Sequence, residues 1–364
     1  MSYALEHFLP GRSLYTHCRG SLVSPGRVKP KLLVIELWGM GDLVIATPFL
    51  QAASEKYDVI LLAKPYAQDL QARFWPGVRV VPFVAPWTAF QHKYNLFAWP
   101  WLKMFRLWKQ LRAKNFDFGL SARWYGSVRS AGDPRDHLLL WLTGVKTRLG
   151  FPRFGSRLFL SKPLKPPEPR MHRYENWRVM GQSLGLDLPA REKLPLPHSR
   201  RDGEILLHSG AGQPVRVWPL ERYRILARRL RAKNFQVRVA CDPDQENWWR
   251  AAGEQNLAAP RAVIDLMALI EKAGAFIGND SGPGHLAAFC GVPTFTIFGP
   301  QLPNWFAPLH PASEWLDGKA CPYKPCSDYC RFPLPYCIVN SEEEEVSARV
   351  EAFVSRVLSE PAVA

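Results

Sequence analysis

GNDSGPGHLAAFCGVP, residues 278–293, is the stretch on which the reading of this 364-residue chain turns. The apolar run Ala275-Phe276-Ile277 leads into it like a buried strand and stops at Gly278. Asn279, Asp280, Ser281, Gly282, Pro283 and Gly284 then form a polar turn, and small residues from about His285 onward read as a helix. Pro near a first helical position, after Ser or Asp, is a helix-start signal. Backbone N–H groups at such a start lack intrahelical acceptors and lie at the positive dipole end, so the turn is suited to an anion, with His285 one turn in. A second apolar run, 294–298, ends in Gly299-Pro300. Strand, glycine turn, helix and strand make half of a nucleotide-binding α/β domain.

Working outward, the same alternation occurs twice. Residues 31–37, KLLVIEL, read as a parallel-type buried strand that runs into Trp38-Gly39-Met40-Gly41-Asp42 and a helix, LVIATPFLQAASEK. Strands at 57–63, 78–83, 116–121 and 145–150 follow, with an apolar helix at 138–144. Residues 161–203 are rich in Pro and charge, and LPLPHSRRDG (194–203) reads as a linker. Residues 204–208 then start a second series: a Gly-rich turn, SGAGQPVRVWP, a helix at 220–232, a strand at 235–241, helices at 242–253 and 265–273, and the opening unit. The expected organisation is an irregular basic extension (1–30), a Rossmann-like unit (31–195), a second such unit (204–340), and a C-terminal helix and tail (341–364) whose EEEE run suits a helix N-terminus.

Composition narrows the partners. Lys and Arg total 47 against 32 Asp and Glu, a formal charge of +15, so an anionic partner is expected. The basic residues are scattered and no nucleic-acid motif occurs, so nucleotide-type ligands and an anionic surface rank above nucleic acid. No apolar run approaches the ~18 residues of a membrane span, and the first 30 residues lack the apolar core of a signal peptide. A cytoplasmic protein is expected. Segment 86–115 mixes Trp99, Trp101, Phe105 and Trp108 with Lys103, Arg106, Lys109, Arg112 and Lys114. Such a helix could lie on an anionic bilayer, but the preferred reading packs its aromatics on the sheet, because the fold needs a crossover helix here.

Three motifs, WGMGDLVIATP, SGAGQPVRVWPLERY and NDSGPGHLAAFCGVPTFTIFGP, occur in an order and spacing that resembles glycosyltransferase family 9, the ADP-heptose:lipopolysaccharide heptosyltransferases. The resemblance spans roughly residues 31–358. It implies a GT-B fold, two Rossmann-like domains facing across a cleft, with the C-terminal helix free to return to the N-terminal domain. It also implies inverting transfer of heptose from a nucleotide diphosphate donor, ADP-heptose by family likeness, to a phosphorylated glycolipid acceptor. No metal is required for that chemistry, and a peripheral place at the inner face of the inner membrane would follow. Other readings are a protein O-heptosyltransferase, a nucleotide-sugar epimerase of similar fold, and a scaffold that has lost catalysis.

The resemblance places the general base at Asp42, where a carboxylate at the end of a parallel strand would enter the ligand crevice. The alternative role for Asp42 is helix capping. Gly39 and Gly41 would let the chain turn tightly beside the acceptor. Arg216 stands where family members typically carry Lys, and would offset charge on the departing diphosphate. Gly210, Ala211 and Gly212 would face phosphate, and Asp280, Ser281, Gly282 and His285 match the donor-site signature. The alternative is that Asp280 or Ser281 only caps the helix while His285 packs. By fold analogy Cys241, Asp242 and Met267 lie near an adenine pocket. Cys321, Cys326, Cys330 and Cys337 crowd one Pro-rich loop, where a structural Zn or Fe site is expected as readily as free thiols. Cys18 and Cys290 read as ordinary. The sequence does not specify an oligomeric state.

Overall fold

The computed structural model describes residues 28–89, 95–124, 133–197, 203–326 and 328–359. The extension 1–27, with Cys18, and the centre of the expected linker, 198–202, lie outside the described residues. The first sheet contains β1 (Lys31–Glu36), β2 (Asp58–Ala63), β3 (Arg79–Pro82), β4 (Phe118–Ser121), β5 (Thr147–Gly150) and β6 (Lys162–Pro163), in the order β3-β2-β1-β4-β5-β6. The second contains β7 (Glu204–His208), β8 (Val237–Ala240), β9 (Leu257–Ala258), β10 (Ala273–Asn279), β11 (Thr294–Ile297) and β12 (Glu314–Leu316), in the order β12-β11-β10-β7-β8-β9. The pairings are parallel throughout both sheets. Each order is the doubly wound 3-2-1-4-5-6. It reverses between β1 and β4 and between β7 and β10, and ligands enter such sheets at the strand carboxyl ends beside the reversal.

The helices of the first half are α1 (Met40–Ile45), α2 (Thr47–Lys56), α3 (Ala67–Phe74), α4 (Trp101–Arg112), α5 (Pro134–Leu142) and α6 (Tyr174–Ser183). Those of the second are α7 (Leu220–Ala232), α8 (Glu246–Ala251), α9 (Val263–Ile270), α10 (Gly282–Phe289), α11 (Pro303–Phe306), α12 (Tyr336–Val339) and α13 (Glu343–Ser359). The helix expected over 43–56 breaks at Ala46, where Pro48 starts a new helix and leaves α1 as a short piece ending the β1 turn. Residues 161–203, read as rich in Pro and charge with no helix assigned, contain α6, whose Trp177 packs on Phe49 of α2 with ring centroids 5.1 Å apart.

Two further expectations change. The C-terminal helix does not return to the first sheet. Val346, Val350, Phe353, Val354 and Val357 form one face of α13 that is buried in the second core against Phe295, while Arg229 of α7 pairs with Glu344 and Glu351. Helix α4 buries Leu107 and Leu111 and leaves Trp101 52%, Leu102 62% and Phe105 53% exposed. Trp101 and Phe105 therefore do not pack as the crossover reading required, whereas Trp99, just before the helix, does pack against this core. The sheet is already covered by the two leucines and by Trp87, whose ring meets Trp99 at 5.8 Å.

The two halves are not loosely tethered. One continuous apolar core contains Val34, Leu43 and Phe49 from the first half and Leu206, Phe276 and Leu286 from the second. Helices α1 and α10 pack across this seam. A Cβ on Gly282 would lie 2.6 Å from Met40 Cε, and one on Gly41 would lie 2.6 Å from His285 Cδ2. Both glycines are required by close approach, and they bring the expected donor turn against the expected acceptor turn.

Candidate active site between the two sheets

The site is built from three turns at strand carboxyl ends. After β1, Gly39 takes the N-cap position of α1, and Asp42 at N3 turns back so that its Oδ2 accepts from the Gly39 N–H at 3.2 Å. Asp42 therefore does cap, as the third residue of the helix and not the first. It also lines a cleft with Glu36, Arg123, Arg173 and Asn176. Capping and facing a ligand are compatible in this geometry.

The turns after β7 and β10 are joined by Asn279. Its Oδ1 accepts from Trp218 N at 3.0 Å and Tyr223 Oη at 2.9 Å, and its Nδ2 donates to Ser209 O at 2.9 Å and Gly210 O at 3.2 Å. The amide thus fixes both phosphate-facing loops to one another. Ser209 is fully engaged, donating to Gln245 and accepting from Trp249 at 2.9 Å. Gly210 lies under Asp242, whose carboxylate would be 2.3 Å from an added Cβ, whereas Gly212 faces open space. Half-buried Ala211 stands between them. Cys241 and Met267, placed near a base pocket by analogy, are instead core residues, 1% and 4% exposed.

Ser281 sits at the N-cap of α10 without a side-chain cap, its Oγ turned to Asn279 O at 3.3 Å. Pro283 has no N–H and the Gly284 N–H donates to Ser281 O at 3.2 Å, so the Gly282 N–H and the positive end of α10 are what this turn offers an anion. His285 is buried, and its Nδ1 has no hydrogen-bond partner among the described residues. A buried orphan nitrogen beside an uncapped helix start is the arrangement a ligand would complete. Burial lowers the His285 pKa to about 4, opposed by the charge of Asp42 and reinforced by Arg216, so the ring is neutral at pH 7. A neutral imidazole can still donate one hydrogen bond.

Arg216 is held between two carboxylates. Its Nε and Nη2 donate to Asp328 at 2.7 and 2.8 Å, and its Nη1 donates to Asp280 O and Oδ2 at 3.3 Å. Burial would weaken this base, yet Asp280, Asp328 and more remotely Asp42 keep its affinity for the proton above the ordinary value. Burial pushes Asp280 up to about 6, against the pull of Arg216. Asp42, Arg216, Asp280 and His285 thus feel one another electrostatically although they come from both halves.

Sequence reasoning missed Glu36, Arg123, Arg173, Asn176 and Asp328. Glu36 and Arg123 end or follow β1 and β4, the strands flanking the reversal, so the strand-end rule that places Asp42 in the crevice applies to them equally. Burial, and then the charge of Asp42, raises Glu36 to about 8. The Arg123 guanidinium lies 3.2 Å over the Trp38 ring, and Arg173 lies 4.1 Å over Trp305. Asn176 Oδ1 is buried without a partner among the described residues. No local signal marks Arg173 or Asn176, because α6 was not anticipated.

All four loop cysteines line one small pocket with Tyr323, Phe332 and Tyr336. Thiolates suit Zn or Fe. Among the described residues, however, no three of His, Cys, Asp or Glu are gathered as a metal ion requires. Cys290 is buried, and its thiol is pushed up to about 12, fitting an ordinary core residue.

Known proteins share this fold. The family model for glycosyltransferase family 9 (heptosyltransferase) matches residues 104–332, more than half the chain. The chain belongs to that family. Lipopolysaccharide heptosyltransferase 1 of Pseudomonas aeruginosa is 27% identical over 89% of this chain and 98% of its own length. A family 9 glycosyltransferase from Veillonella parvula shares the fold at a TM-score of 0.67, with 17% identity over 91% of this chain and 99% of its own. The Escherichia coli heptosyltransferase WaaC, solved with ADP, does so at 0.65, with 17% identity, 89% and 99%. This family 9 member is a glycosyltransferase of two-domain α/β architecture, as its motifs implied. The matched stretch contains both donor turns but begins after Asp42, whose case rests on its own geometry.

Proposed function

We propose that the protein transfers heptose from ADP-heptose to a lipopolysaccharide core acceptor, with inversion. The observation that carries this reading is the seam between α1 and α10, which sets Asp42 opposite the uncapped helix start, His285 and Arg216. In this scheme the acceptor hydroxyl oxygen attacks the anomeric carbon and gives its proton to Asp42. The bond from that carbon to the diphosphate oxygen breaks, and ADP leaves with the electron pair. The Gly282 N–H at the start of α10 and Arg216 offset the charge that develops on the diphosphate. Arg123 and Arg173, in the cleft with Asp42, supply the positive charge an acidic core sugar needs. The relatives named above, one carrying this activity in its name and one solved with ADP, support the choice of sugar and nucleotide.

Purified protein, ADP-heptose and a heptose-deficient lipopolysaccharide acceptor should release ADP and extend the acceptor by one heptose. Donor turnover without acceptor would instead indicate the epimerase reading. A protein acceptor is the alternative that the same assay tests. Metal content of the purified protein, together with partition of labelled heptose between glycolipid and polypeptide, separates the two.

The exposed face of α4 supports a peripheral place on an anionic membrane. Trp101, Leu102 and Phe105 project between Lys103, Arg106 and Lys109, and Trp141 of α5, 49% exposed, extends the patch. Among the described residues no helix is long and apolar enough to span a bilayer. Sedimentation with anionic vesicles should weaken as salt rises, and binding indifferent to salt would remove this part of the scheme.

A further inference from the structure

Arg216 is the cation of the donor turn, yet little of it is left for a donor. Its Nε/Nη2 edge, the fork that grips a carboxylate or phosphate bidentately, is taken by Asp328, and Nη1 is directed at Asp280. One guanidinium facing two carboxylates leaves these three groups with a net negative charge, with Asp42 and the cation Lys324 both within electrostatic reach. A diphosphate entering here meets repulsion unless one carboxylate withdraws. Asp280 cannot withdraw easily: it is 3% exposed and lies between β10 and α10. Asp328, between Cys326 and Cys330 in the sequence, is 14% exposed and holds a left-handed backbone at φ 69°.

We propose that Asp328 is a built-in competitor for Arg216, occupying the guanidinium edge that a diphosphate would take, and that donor binding displaces it. Resting on the donor-site reading above, this makes the cysteine loop a part of the donor site that sets its affinity. Ligand exchange replaces one bidentate partner of Arg216 with another of higher charge, so the guanidinium need not reorient. When the diphosphate departs, Asp328 returns and helps expel it.

Asp328→Asn tests this with little disturbance, because Asn tolerates a left-handed backbone as well as Asp does. Calorimetric titration of the full chain with inorganic pyrophosphate and with ADP should show the variant binding both about tenfold tighter, the scale of one charge-assisted pair. In an Arg216→Ala background, which itself binds more weakly, Asp328→Asn should bring a clearly smaller gain, because only the repulsion of the carboxylate is relieved and no guanidinium edge is freed. Equal or weaker pyrophosphate binding by Asp328→Asn would overturn the proposal, since it would make Asp328 a support for Arg216 and not a rival ligand. A gain that is undiminished without Arg216 would overturn it too. Tighter pyrophosphate binding without any ADP binding would uphold the competition while removing the ADP-sugar donor reading.

Discussion

Asp42 can be a base, a cap or both, and two substitutions separate these roles. Its Oδ2 accepts from the Gly39 N–H at 3.2 Å, a bond that an Asn oxygen can also accept. Asp42→Asn should therefore fold nearly as well as the parent, whereas Asp42→Ala removes the bond at a cost of ~1 kcal/mol. In a chain of this size that is a loss in melting temperature of about 2 °C. Chemistry should respond differently. Neither variant can accept the acceptor proton, and losing a general base costs about 10²–10⁴ in rate. That corresponds to ~3–5 kcal/mol of barrier, several times the folding cost of Ala. Differential scanning fluorimetry and ADP release at saturating acceptor would measure the two effects on the same samples. The expected pattern is a silent melting curve with a collapsed kcat for Asn, and both losses for Ala. If Asn kept more than about a tenth of the parental kcat, Asp42 would be a cap alone, and the base would have to be sought elsewhere in the cleft.

Glu36 offers a pH test. Its folded pKa, raised to about 8 from 4.5, means that the native state holds a proton the unfolded state releases, so stability falls as pH rises from about 4.5 through 8. Glu36→Gln should melt like the parent near pH 4 and progressively higher by pH 9, and parallel curves would contradict this. Gly282→Ala places a Cβ 2.8 Å from Met40 Cβ, which cannot yield without shifting α1. The overpacking cost is ~1–3 kcal/mol, with weakened ADP binding, and Met40→Ala in the same chain should recover part of it. Phe105→Ser with Trp101→Ser should abolish vesicle sedimentation while leaving transfer to a soluble acceptor fragment intact. Loss of that soluble transfer would show that α4 serves the fold and not a surface.

Much of this molecule was legible from local pattern. The strands at 31–36, 204–208 and 273–279 are apolar runs ending in glycine-rich turns, and parallel strands buried on both faces leave such runs in any sequence. Helix α7 was readable because Tyr223, Leu226, Ala227 and Leu230 recur at helical spacing. The turns carrying Asp42, Arg216, Asp280 and His285 were legible for the same reason: their glycines and prolines stand where backbone geometry needs them. The short strands β6, β9 and β12 were not, because a two- or three-residue strand has no period to detect.

What no local pattern contained was which side chains meet. Asp328 and Arg216 are 112 residues apart, and only the packing of the cysteine loop on the second sheet makes them a bidentate pair. Arg123, Arg173 and Asn176 reach one cleft from separate segments, and the face of α4 is apolar and exposed because Leu107 and Leu111 already cover the sheet. Sequence by itself determined the elements, their parallel order and the anion-ready turns, since these follow from short-range backbone sterics and periodicity. Tertiary structure decided how the turns oppose one another, how Arg216 is neutralised and where α13 docks. Those outcomes depend on burial and charge summed over residues far apart in the chain.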